Sequence, residues 1–566
     1  MPGVRGESSR VQPYGRRSTR SRSTQSRRPK IRPPARPRRR RVSATRLTPR
    51  ENRGPDPGRL YDLSRLIIKS LLASGAMTRP PPSAEESVQR WMARERVPGA
   101  SLTIAERGRE TISRGYGYRD KVGRLPATPR TIYGIASATK SFTALAILRL
   151  EEEGRLSLQD PIAKHLPEFR TPDPRMARRI TVHHFLTHTS GLPPLPTIVY
   201  LTARSLAEDP SYDPREDRRC GIDPDHGPID TYEQLLEYLR TARYRLLGPP
   251  GRHFSYSNEA FGLLGAVIER ASGRTYEGYL DEAILRPLGM RSTTFDNGIM
   301  LRCPDVTTLY TLVSTRGRRR LVPSKLWGEA PCLRACGGLR SNAQDLSRFV
   351  QLFLNAGKVN GERIVAAATI RRMTTPYAEA FPGIHYGYGI VVQPDYHGTM
   401  IAYHGGSSQG VSSLFVVAPR RRLGGAILAN VQGVQPELGL MSQINARMGL
   451  PLATPLESVP KTASMESSLR DFQGWYGSGE GVWLEVRARR GSLWLYDHGA
   501  TVKPKGVELR AAGPDRFVLR SRGREEQVHF ERQHGQRVWA VFRYWRLIRR
   551  RGPRAFRHAR ALTTVW

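Results

Sequence analysis

Ser137 and Lys140 stand three residues apart in the segment Ser137-Ala138-Thr139-Lys140, a spacing that can bring a hydroxyl and an amine together. If this segment opens a helix, side chains three residues apart lie on the same face. A serine hydroxyl is a weak nucleophile at its ordinary pKa and needs a base beside it. A lysine can serve when burial or nearby cations lower its pKa. The pair therefore predicts attack by Ser137 on a carbonyl carbon, assisted by Lys140.

Two other segments compete for this role, and their context decides against them. Residues 458–461 repeat the S-x-x-K spacing, but prolines at 455 and 460 make a helix there improbable. The segment Gly406-Ser407-Ser408-Gln409-Gly410 matches G-x-S-x-G, the nucleophile elbow, which needs a strand, a turn and then a helix. The residues that follow, 411–417, have the pattern of a strand instead. Ser137 is therefore the preferred nucleophile, because a strong helical pattern follows it.

Further short motifs follow S-x-x-K, and three of them, at residues 256–258, 337–341 and 404–407, lie where regular elements are predicted to begin or end. They include Tyr256-Ser257-Asn258, His404-Gly405-Gly406-Ser407, Gly337-Gly338-Leu339-Arg340-Ser341, Leu186-Thr187-His188-Thr189-Ser190-Gly191-Leu192 and Pro287-Leu288-Gly289-Met290. The order of these segments after S-x-x-K resembles the class C β-lactamase-like family. That family includes class C β-lactamases, D-alanyl-D-alanine carboxypeptidases, D-aminopeptidases and related esterases. The resemblance covers residues 84–450, about two thirds of the chain.

The resemblance implies a role for each matching residue. Ser137 would become acylated, Lys140 would assist its deprotonation, and Tyr256 would shuttle the proton to the leaving group. Asn258 would hydrogen-bond Lys140 or the substrate amide. The backbone N–H groups of Ser137 and Ser407 would form the oxyanion hole. Gly405 and Gly406 would let the substrate approach the strand closely.

One position departs from the β-lactamases, which carry Lys-Thr-Gly where this chain has His404-Gly405-Gly406. The lysine supplies a fixed cation for a substrate carboxylate, whereas histidine with its ordinary pKa of about 6.5 is only partly charged at neutral pH. We therefore expect a hydrolase of esters, amides or peptides, such as an esterase, D-aminopeptidase or D,D-peptidase-like enzyme, with poor activity on β-lactams.

No metal or cofactor is expected. His184 and His188 have the offset of a metal-binding pair, but no glutamate stands beside His184 as in H-E-x-x-H. The resemblance also assigns no metal to the loop that holds His188. Cys332 and Cys336 lack the second cysteine pair of a structural zinc site. The expected partner is a small-molecule or peptide substrate, and the C-terminal module is a candidate surface for homo-oligomerisation.

Composition divides the chain into five parts. Residues 1–76 form a basic segment with no apolar periodicity, predicted to be disordered. The hydrolase domain is expected at 84–450, a linker at 451–466, a small β-barrel-like module at 467–548 and a basic tail at 549–566. For the hydrolase we predict an α/β fold of the α+β type, an antiparallel sheet flanked by helices with an all-helical subdomain. Residues 200–230 are acidic and aperiodic, which predicts a long loop or lid.

The net charge of +41 comes largely from the two ends of the chain. The arginine-rich segment 1–58 lacks the regularly interleaved aromatic residues of a single-strand binder, so no specific nucleic acid is expected. A nucleic-acid-associated protein and a non-hydrolytic binding protein of the same fold stay open as alternatives. No run approaches 18 apolar residues, and residues 60–77 make a poor signal-peptide core. We therefore expect a cytoplasmic protein, with export left open.

Overall fold

A computed structural model describes residues 83–209, 212, 214–219, 221–223, 225–315, 318–324, 327–328, 330–457, 468–499, 504–521, 524–533 and 537–555. The basic segment 1–76, the second S-x-x-K copy and residues 556–566 of the basic tail lie outside these residues. In the described part of the chain, no helix has both the length and the apolar character needed to cross a membrane.

The helices begin where capping side chains favour a start. Ser83 accepts a hydrogen bond from the backbone of Glu86, whose side chain accepts one from the backbone of Ser83, a capping box. The helices in chain order are α1 (Ala84–Glu95), α2 (Thr139–Glu152), α3 (Ile162–His165), α4 (Pro174–Ala177), α5 (Val182–Leu186), α6 (Thr197–Leu201), α7 (Ala203–Ala207), α8 (Pro214–Arg219), α9 (Tyr232–Thr241), α10 (Asn258–Ser272), α11 (Tyr276–Leu280), α12 (Asn297–Leu301), α13 (Arg334–Gly337), α14 (Ala343–Leu354), α15 (Ala367–Met373), α16 (Pro436–Met448) and α17 (Leu469–Phe472). One-turn helices of other types cover Ala136–Ala138, Asp281–Leu285, Pro331–Leu333 and Pro419–Arg421.

The strands of residues 99–429 are mostly short and separated by turns. They are β1 (Gly99–Glu106), β2 (Arg109–Asp120), β3 (Leu125–Pro126), β4 (Tyr133–Gly134), β5 (Leu309–Thr315), β6 (Arg318–Ser324), β7 (Arg340–Ser341), β8 (Lys358–Val359), β9 (Glu362–Arg363), β10 (Ala378–Phe381), β11 (Ile384–Tyr386), β12 (Val391–Tyr396), β13 (Thr399–Ser408), β14 (Val411–Ala418) and β15 (Leu423–Ala429). Nine of them form one antiparallel sheet in the order β10-β11-β12-β13-β14-β15-β1-β2-β3. Ala100 pairs with Ala429, so β1 joins the two ends of the hydrolase domain.

Helices cover both faces of this sheet. On one face, Val88 and Trp91 of α1 share a core with Leu440 and Ile444 of α16. On the other face, α14 packs on β1, β14 and β15, and Phe349 of this helix stacks on Phe142 of α2 at 3.9 Å between ring centres. The fold class predicted from the sequence is confirmed, since the sheet is antiparallel, helices flank it, and the helices from α3 to α12 lie between α2 and the later strands.

The prediction of a long loop at residues 200–230 is wrong. Three short helices, α6, α7 and α8, lie in or next to this segment, and Tyr200 and Ile222 are buried in the helical core. Short helices of five or six residues give too little periodicity to be recognised in an acidic, proline-containing sequence.

The C-terminal module is a closed eight-stranded barrel. Its strands, paired in chain order, are β16 (Gly474–Gly477), β17 (Trp483–Arg489), β18 (Ser492–Asp497), β19 (Val507–Gly513), β20 (Arg516–Ser521), β21 (Arg524–Gln533), β22 (Arg537–Arg543) and β23 (Arg546–Arg551). Pairing of β16 with β23 closes it. The last strand ends at Arg551, so residues 549–551, predicted as tail, belong to the barrel. Three consecutive arginines there hide the strand alternation.

The barrel packs against the hydrolase domain through one outer face. Val541 and Ile548 point into the barrel core, whereas Phe542 and Leu547 join the core that contains Phe254 of the hydrolase domain. Alternate strand residues point to opposite faces, so one hairpin serves both cores. The start of the predicted linker is also packed, because the hydroxyl of Tyr403 donates to Glu457 at 2.9 Å.

Candidate active site

Ser137 lies in the one-turn helix that leads directly into α2. Ala136 before it has φ +44°, a left-handed conformation that costs about 1–3 kcal/mol in a residue other than glycine. Two contacts hold the segment in place: the N–H of Ile135 donates to the carbonyl of Leu339 at 3.0 Å, and the Ser413 hydroxyl donates to the carbonyl of Ile135 at 2.7 Å. The strained backbone thus presents the half-buried Ser137 to a cleft.

Lys140 is fully buried one turn into the same helical segment. Its Nζ donates to Oγ of Ser137 at 3.3 Å, to Oδ1 of Asn258 at 2.9 Å and to the carbonyl of Cys336 at 2.8 Å. An ammonium group would donate all three hydrogen bonds, whereas a neutral amine would donate two and accept the third from the Ser137 hydroxyl. Either form of Lys140 keeps its nitrogen in contact with the nucleophile.

Tyr256 and Asn258 flank the start of α10. Ser257 caps this helix by accepting from the N–H of Ala260 at 3.1 Å, and its hydroxyl donates to the buried carboxylate of Glu259 at 2.6 Å. The ring centre of Tyr256 lies 4.7 Å from Nζ of Lys140. The structure therefore brings together the four side chains of Ser137, Lys140, Tyr256 and Asn258, which are up to 121 positions apart in the chain.

His404 lies on β13 beside this group but is buried. Its Nδ1 donates to the carbonyl of Gly405 at 2.7 Å, and its Nε2 accepts from the hydroxyl of Tyr386 at 2.9 Å. Burial, with the nearby charge of Lys140, lowers the pKa of His404 to about 3. The imidazole is therefore neutral at physiological pH, and its single donor is occupied within the protein. The expectation of a partly charged histidine is wrong, because the ring is desolvated.

Gly406 brings β13 against the nucleophile. Pairing of β13 with β12 ends at Tyr403, so the next residues of this edge face the one-turn helix of Ser137. A Cβ on Gly406 would overlap the carbonyl oxygen of Ile135 and lie 3.0 Å from the N of Ser137, whereas one on Gly405 would come no closer than 3.4 Å to any neighbour. Ser407 is exposed on the same edge. Its part in an oxyanion hole with Ser137 stays a prediction.

The G-x-S-x-G segment forms the β13–β14 hairpin. Gly410, at φ +64°, makes its turn, and no helix follows Ser407. The geometry of a nucleophile elbow is therefore absent from this segment.

His188 has a position that the sequence did not suggest. Its Nδ1 accepts from the N–H of Ser257 at 3.1 Å, and its ring lies 4.2 Å from that of Tyr256. Burial holds the pKa of His188 well below its ordinary value, so this ring is also neutral. His184, by contrast, contacts Thr181 at 2.9 Å through Nδ1. The only sequence signal for His188 was its place in the Leu186–Leu192 motif.

The site opens into a cleft of about 1440 Å³ between the hydrolase domain and the barrel. Its hydrolase wall includes Ser137, Tyr256, His404, Gly405, Gly406 and Ser407. Its barrel wall includes Glu525, Glu526, Gln527, Arg543, Tyr544, Trp545 and Arg546. No barrel residue was predicted in the site, because the pattern of one strand does not show which loop faces another domain.

The beta-lactamase family model matches residues 84–444, which include Ser137, Lys140, Tyr256 and the glycines of β13. The chain belongs to the beta-lactamase family. The family resemblance inferred from the sequence is confirmed.

Relatives of the family show which parts of the chain are shared. The Staphylococcus aureus (strain MW2) protein flp is 27% identical over 336 residues, 59% of this chain and 60% of flp, so this chain spans about 60% of the length of that relative. The esterase EstB of Burkholderia gladioli is 36% identical over 206 residues, 35% of this chain and 47% of EstB. The octameric penicillin-binding protein homologue from Pyrococcus abyssi matches 82% of this chain and 99% of its own, with 31% identity and a TM-score of 0.58.

Proposed function

We propose that the protein hydrolyses esters, amides and short peptides that carry no carboxylate next to the scissile bond, through an acyl-enzyme at Ser137. The observation that supports this most directly is the position of Lys140, whose Nζ links Oγ of Ser137 to Oδ1 of Asn258 beside the Tyr256 ring. The esterase EstB, a relative over part of the domain, supports ester cleavage.

In the proposed acylation, Oγ of Ser137 attacks the substrate carbonyl carbon and its proton passes to the Tyr256 phenolate. In this scheme Lys140 is an ammonium group. It stabilises negative charge on the Ser137 and Tyr256 oxygens but does not accept the proton. The tetrahedral oxyanion is bound by the N–H groups of Ser137 and Ser407. It collapses as the bond to the leaving oxygen or nitrogen breaks, and Tyr256 protonates that atom.

Deacylation reverses these roles. Water enters from the cleft, gives a proton to Tyr256 and attacks the acyl carbon with its oxygen. The bond to Oγ then breaks, the proton returns to Ser137, and the carboxylic acid product leaves. Each half-reaction transfers one acyl group and passes one proton through Tyr256, so water is the only reactant needed besides the substrate.

The preference for substrates without a carboxylate near the scissile bond follows from His404. This side chain is neutral and its donor is bound to Gly405, so β13 offers no fixed cation to a substrate carboxylate. A lost charge-assisted hydrogen bond costs about 1.5–3 kcal/mol, or roughly 10–150-fold in rate. We therefore expect faster turnover of p-nitrophenyl butyrate and of D-amino-acid p-nitroanilides than of nitrocefin.

The test is covalent labelling with a fluorophosphonate, followed by peptide mapping. We expect a single labelled residue, Ser137, with labelling and turnover both lost in Ser137→Ala. Ser407→Ala is the matched control, since this exposed serine is the competing nucleophile in the sequence; because its backbone N–H is retained, the variant should still be labelled. Labelling at Ser407, or a kcat/KM for nitrocefin above that for p-nitrophenyl butyrate, would contradict the proposal.

A further inference from the structure

The turn between β22 and β23 carries the barrel into the active site. Tyr544 and Trp545 form this two-residue turn with φ of +55° and +61°, the conformation of a type I′ hairpin. The carbonyl of Trp545 accepts a hydrogen bond from the N–H of Tyr256 at 2.9 Å. The N–H of Leu547 donates to the hydroxyl of Ser255 at 3.4 Å. The barrel hairpin is therefore bonded to the very segment that presents Tyr256.

Arg546, the next residue of this hairpin, stacks on Tyr256. Its guanidinium carbon lies 4.8 Å from the centre of the Tyr256 ring, within the range of a cation–π contact. Its Nε donates to both carboxylate oxygens of Glu480, at 3.0 and 3.2 Å. Arg546 is 12% exposed and Glu480 is 15% exposed, so solvent screens the pair only weakly. The loop of Glu480 is itself anchored, because the N–H of Gly479 donates to the carbonyl of Pro194 at 3.1 Å.

Arg546 stays charged in this position. Burial acts against it, but the carboxylate of Glu480 and the Tyr256 phenol hold the pKa of Arg546 above its ordinary value. Burial raises the pKa of Glu480, while Arg546 counteracts this effect. A bidentate arginine–carboxylate pair of this kind is charge-assisted and geometrically fixed.

The other groups that face Tyr256 come from several elements. They are Lys140 of α2, His188 after α5, Tyr386 of β11, His404 of β13 and, behind them, Glu259 of α10. His188 and His404 are neutral because burial lowers their pKa values, and burial raises the pKa of Tyr386 well above its ordinary value. Among the residues that the structure describes, the cations that approach the Tyr256 ring are thus Lys140 and Arg546.

We propose that Arg546, supplied by the C-terminal barrel, is a positioning residue that holds the Tyr256 ring in place and stabilises its phenolate. This rests on the proposed function, in which the Tyr256 phenolate accepts the proton of Ser137. The β13 strand supplies no cation, since His404 is neutral, and Lys140 also contacts Ser137, Asn258 and the carbonyl of Cys336. The barrel therefore provides a second positive charge beside the tyrosine base.

The proposal predicts a pH effect with a definite sign. An opposite charge within about 4–6 Å favours the ionised form of a group and shifts its titration by about 1–3 pH units. In the full-length Arg546→Met variant, the rise of kcat/KM with pH should move upward by about one pH unit or more. KM for p-nitrophenyl butyrate should change by less than about threefold, because a positioning residue acts on the base and not on the ester.

Three further variants separate charge from structure. Arg546→Lys retains a cation and should restore most of the pH profile. Glu480→Gln leaves the cation unneutralised and should move the rise of activity to the same or lower pH. Arg549→Gln is the matched control, since Arg549 lies on the same strand, bonds the carbonyl of Leu246 and stacks on Trp539 without touching Tyr256. This control should keep the wild-type profile.

A second readout does not depend on turnover. The ultraviolet absorbance of tyrosinate is titrated in wild type and in Arg546→Met, each against its own Tyr256→Phe background, so that the difference reports Tyr256 alone. The Tyr256 component should ionise at higher pH in Arg546→Met. If wild type fails to turn over any ester or amide, the proposed function fails, but this titration still decides the role of Arg546.

The proposal is overturned if folded Arg546→Met keeps the wild-type pH profile and the wild-type tyrosinate titration. It is also overturned if the loss lies in KM alone and only with carboxylate-bearing substrates, because Arg546 would then bind substrate. Should Arg546→Met fail to fold with Glu480 left unpaired, the Arg546→Met/Glu480→Gln double variant removes both charges, and the same upward shift is expected from it.

Discussion

Gly406 packs directly against the carbonyl oxygen of Ile135, two residues before the nucleophile. A Cβ at this position would overlap that oxygen and lie 3.0 Å from the N of Ser137. Gly406→Ala should therefore displace β13 or Ser137 and lower kcat by about 100-fold, the cost of roughly 1 Å of misplacement. Gly405→Ala is the comparison, because its Cβ would have 3.4 Å of clearance and should cost far less. Steady-state kinetics on p-nitrophenyl butyrate measure both, and equal losses in the two variants would contradict the packing argument.

Replacing Lys140 should remove catalysis without removing the fold. Lys140→Met takes away the charge that stabilises Ser137 and Tyr256, and we expect a fall in kcat of about 10²–10³-fold, together with slow fluorophosphonate labelling. Lys358→Met, on an exposed strand, is the control and should retain wild-type rates. Thermal melting checks the fold, since the variant leaves Oδ1 of Asn258 and the carbonyl of Cys336 without their donor. Labelling at the wild-type rate in a folded Lys140→Met protein would exclude the role given to this lysine.

His404 should make the protein sensitive to acid. Its pKa is about 3 in the folded state and about 6.5 when unfolded. Between these values the unfolded chain binds a proton that the native state does not, so stability is lost as pH falls below about 6.5. By pH 5 this single group accounts for about 2 kcal/mol. His404→Gln should therefore show a smaller drop in melting temperature between neutral pH and pH 5 than wild type. His397→Asn, at an exposed turn, should behave like wild type, and an unchanged drop in His404→Gln would refute the assignment.

Removal of residues 1–76 should leave activity within a few-fold of that of the full chain. The sequence of this segment has no apolar pattern able to join a core, and α1 begins after it with its own capping box. Kinetics of both proteins on the same ester decide the point. A truncated protein that is folded but has lost all turnover of substrates that the full chain cleaves would show that the basic segment takes part in the site.

The sequence predicted those parts of the molecule that follow from local pattern. The helical pattern after Ser137 and the strand pattern of residues 411–417 correspond to α2 and β14. The S-x-x-K offset was enough to pair Ser137 with Lys140, because three residues are less than one helical turn. These relationships join residues that are close together in the chain, so a single sequence is enough to predict them.

Relationships between distant segments were not predictable in the same way. Nothing local shows that the ring of His404 is buried or that its Nε2 meets the hydroxyl of Tyr386, 18 positions earlier. Arg546 gives no local signal either, since it is one of many arginines near the end of the chain. Its contact with Tyr256 requires closure of the barrel and docking of one hairpin, which are properties of tertiary structure.

The pairing of β1 with β15 sets the order of events while the ribosome makes the chain. Residues 100–106 can pair with β2 at once, but their other edge has no partner until residues 423–429 have been synthesised. For more than 300 residues of translation this apolar strand presents an open edge, which is where nascent chains are prone to misassociation. Closure of the sheet is therefore a late event, and the hairpin that contacts Tyr256 is made later still. A nascent chain can thus acquire its nucleophile early, whereas Arg546 reaches Tyr256 only after residues 423–429 and the barrel strands have been made.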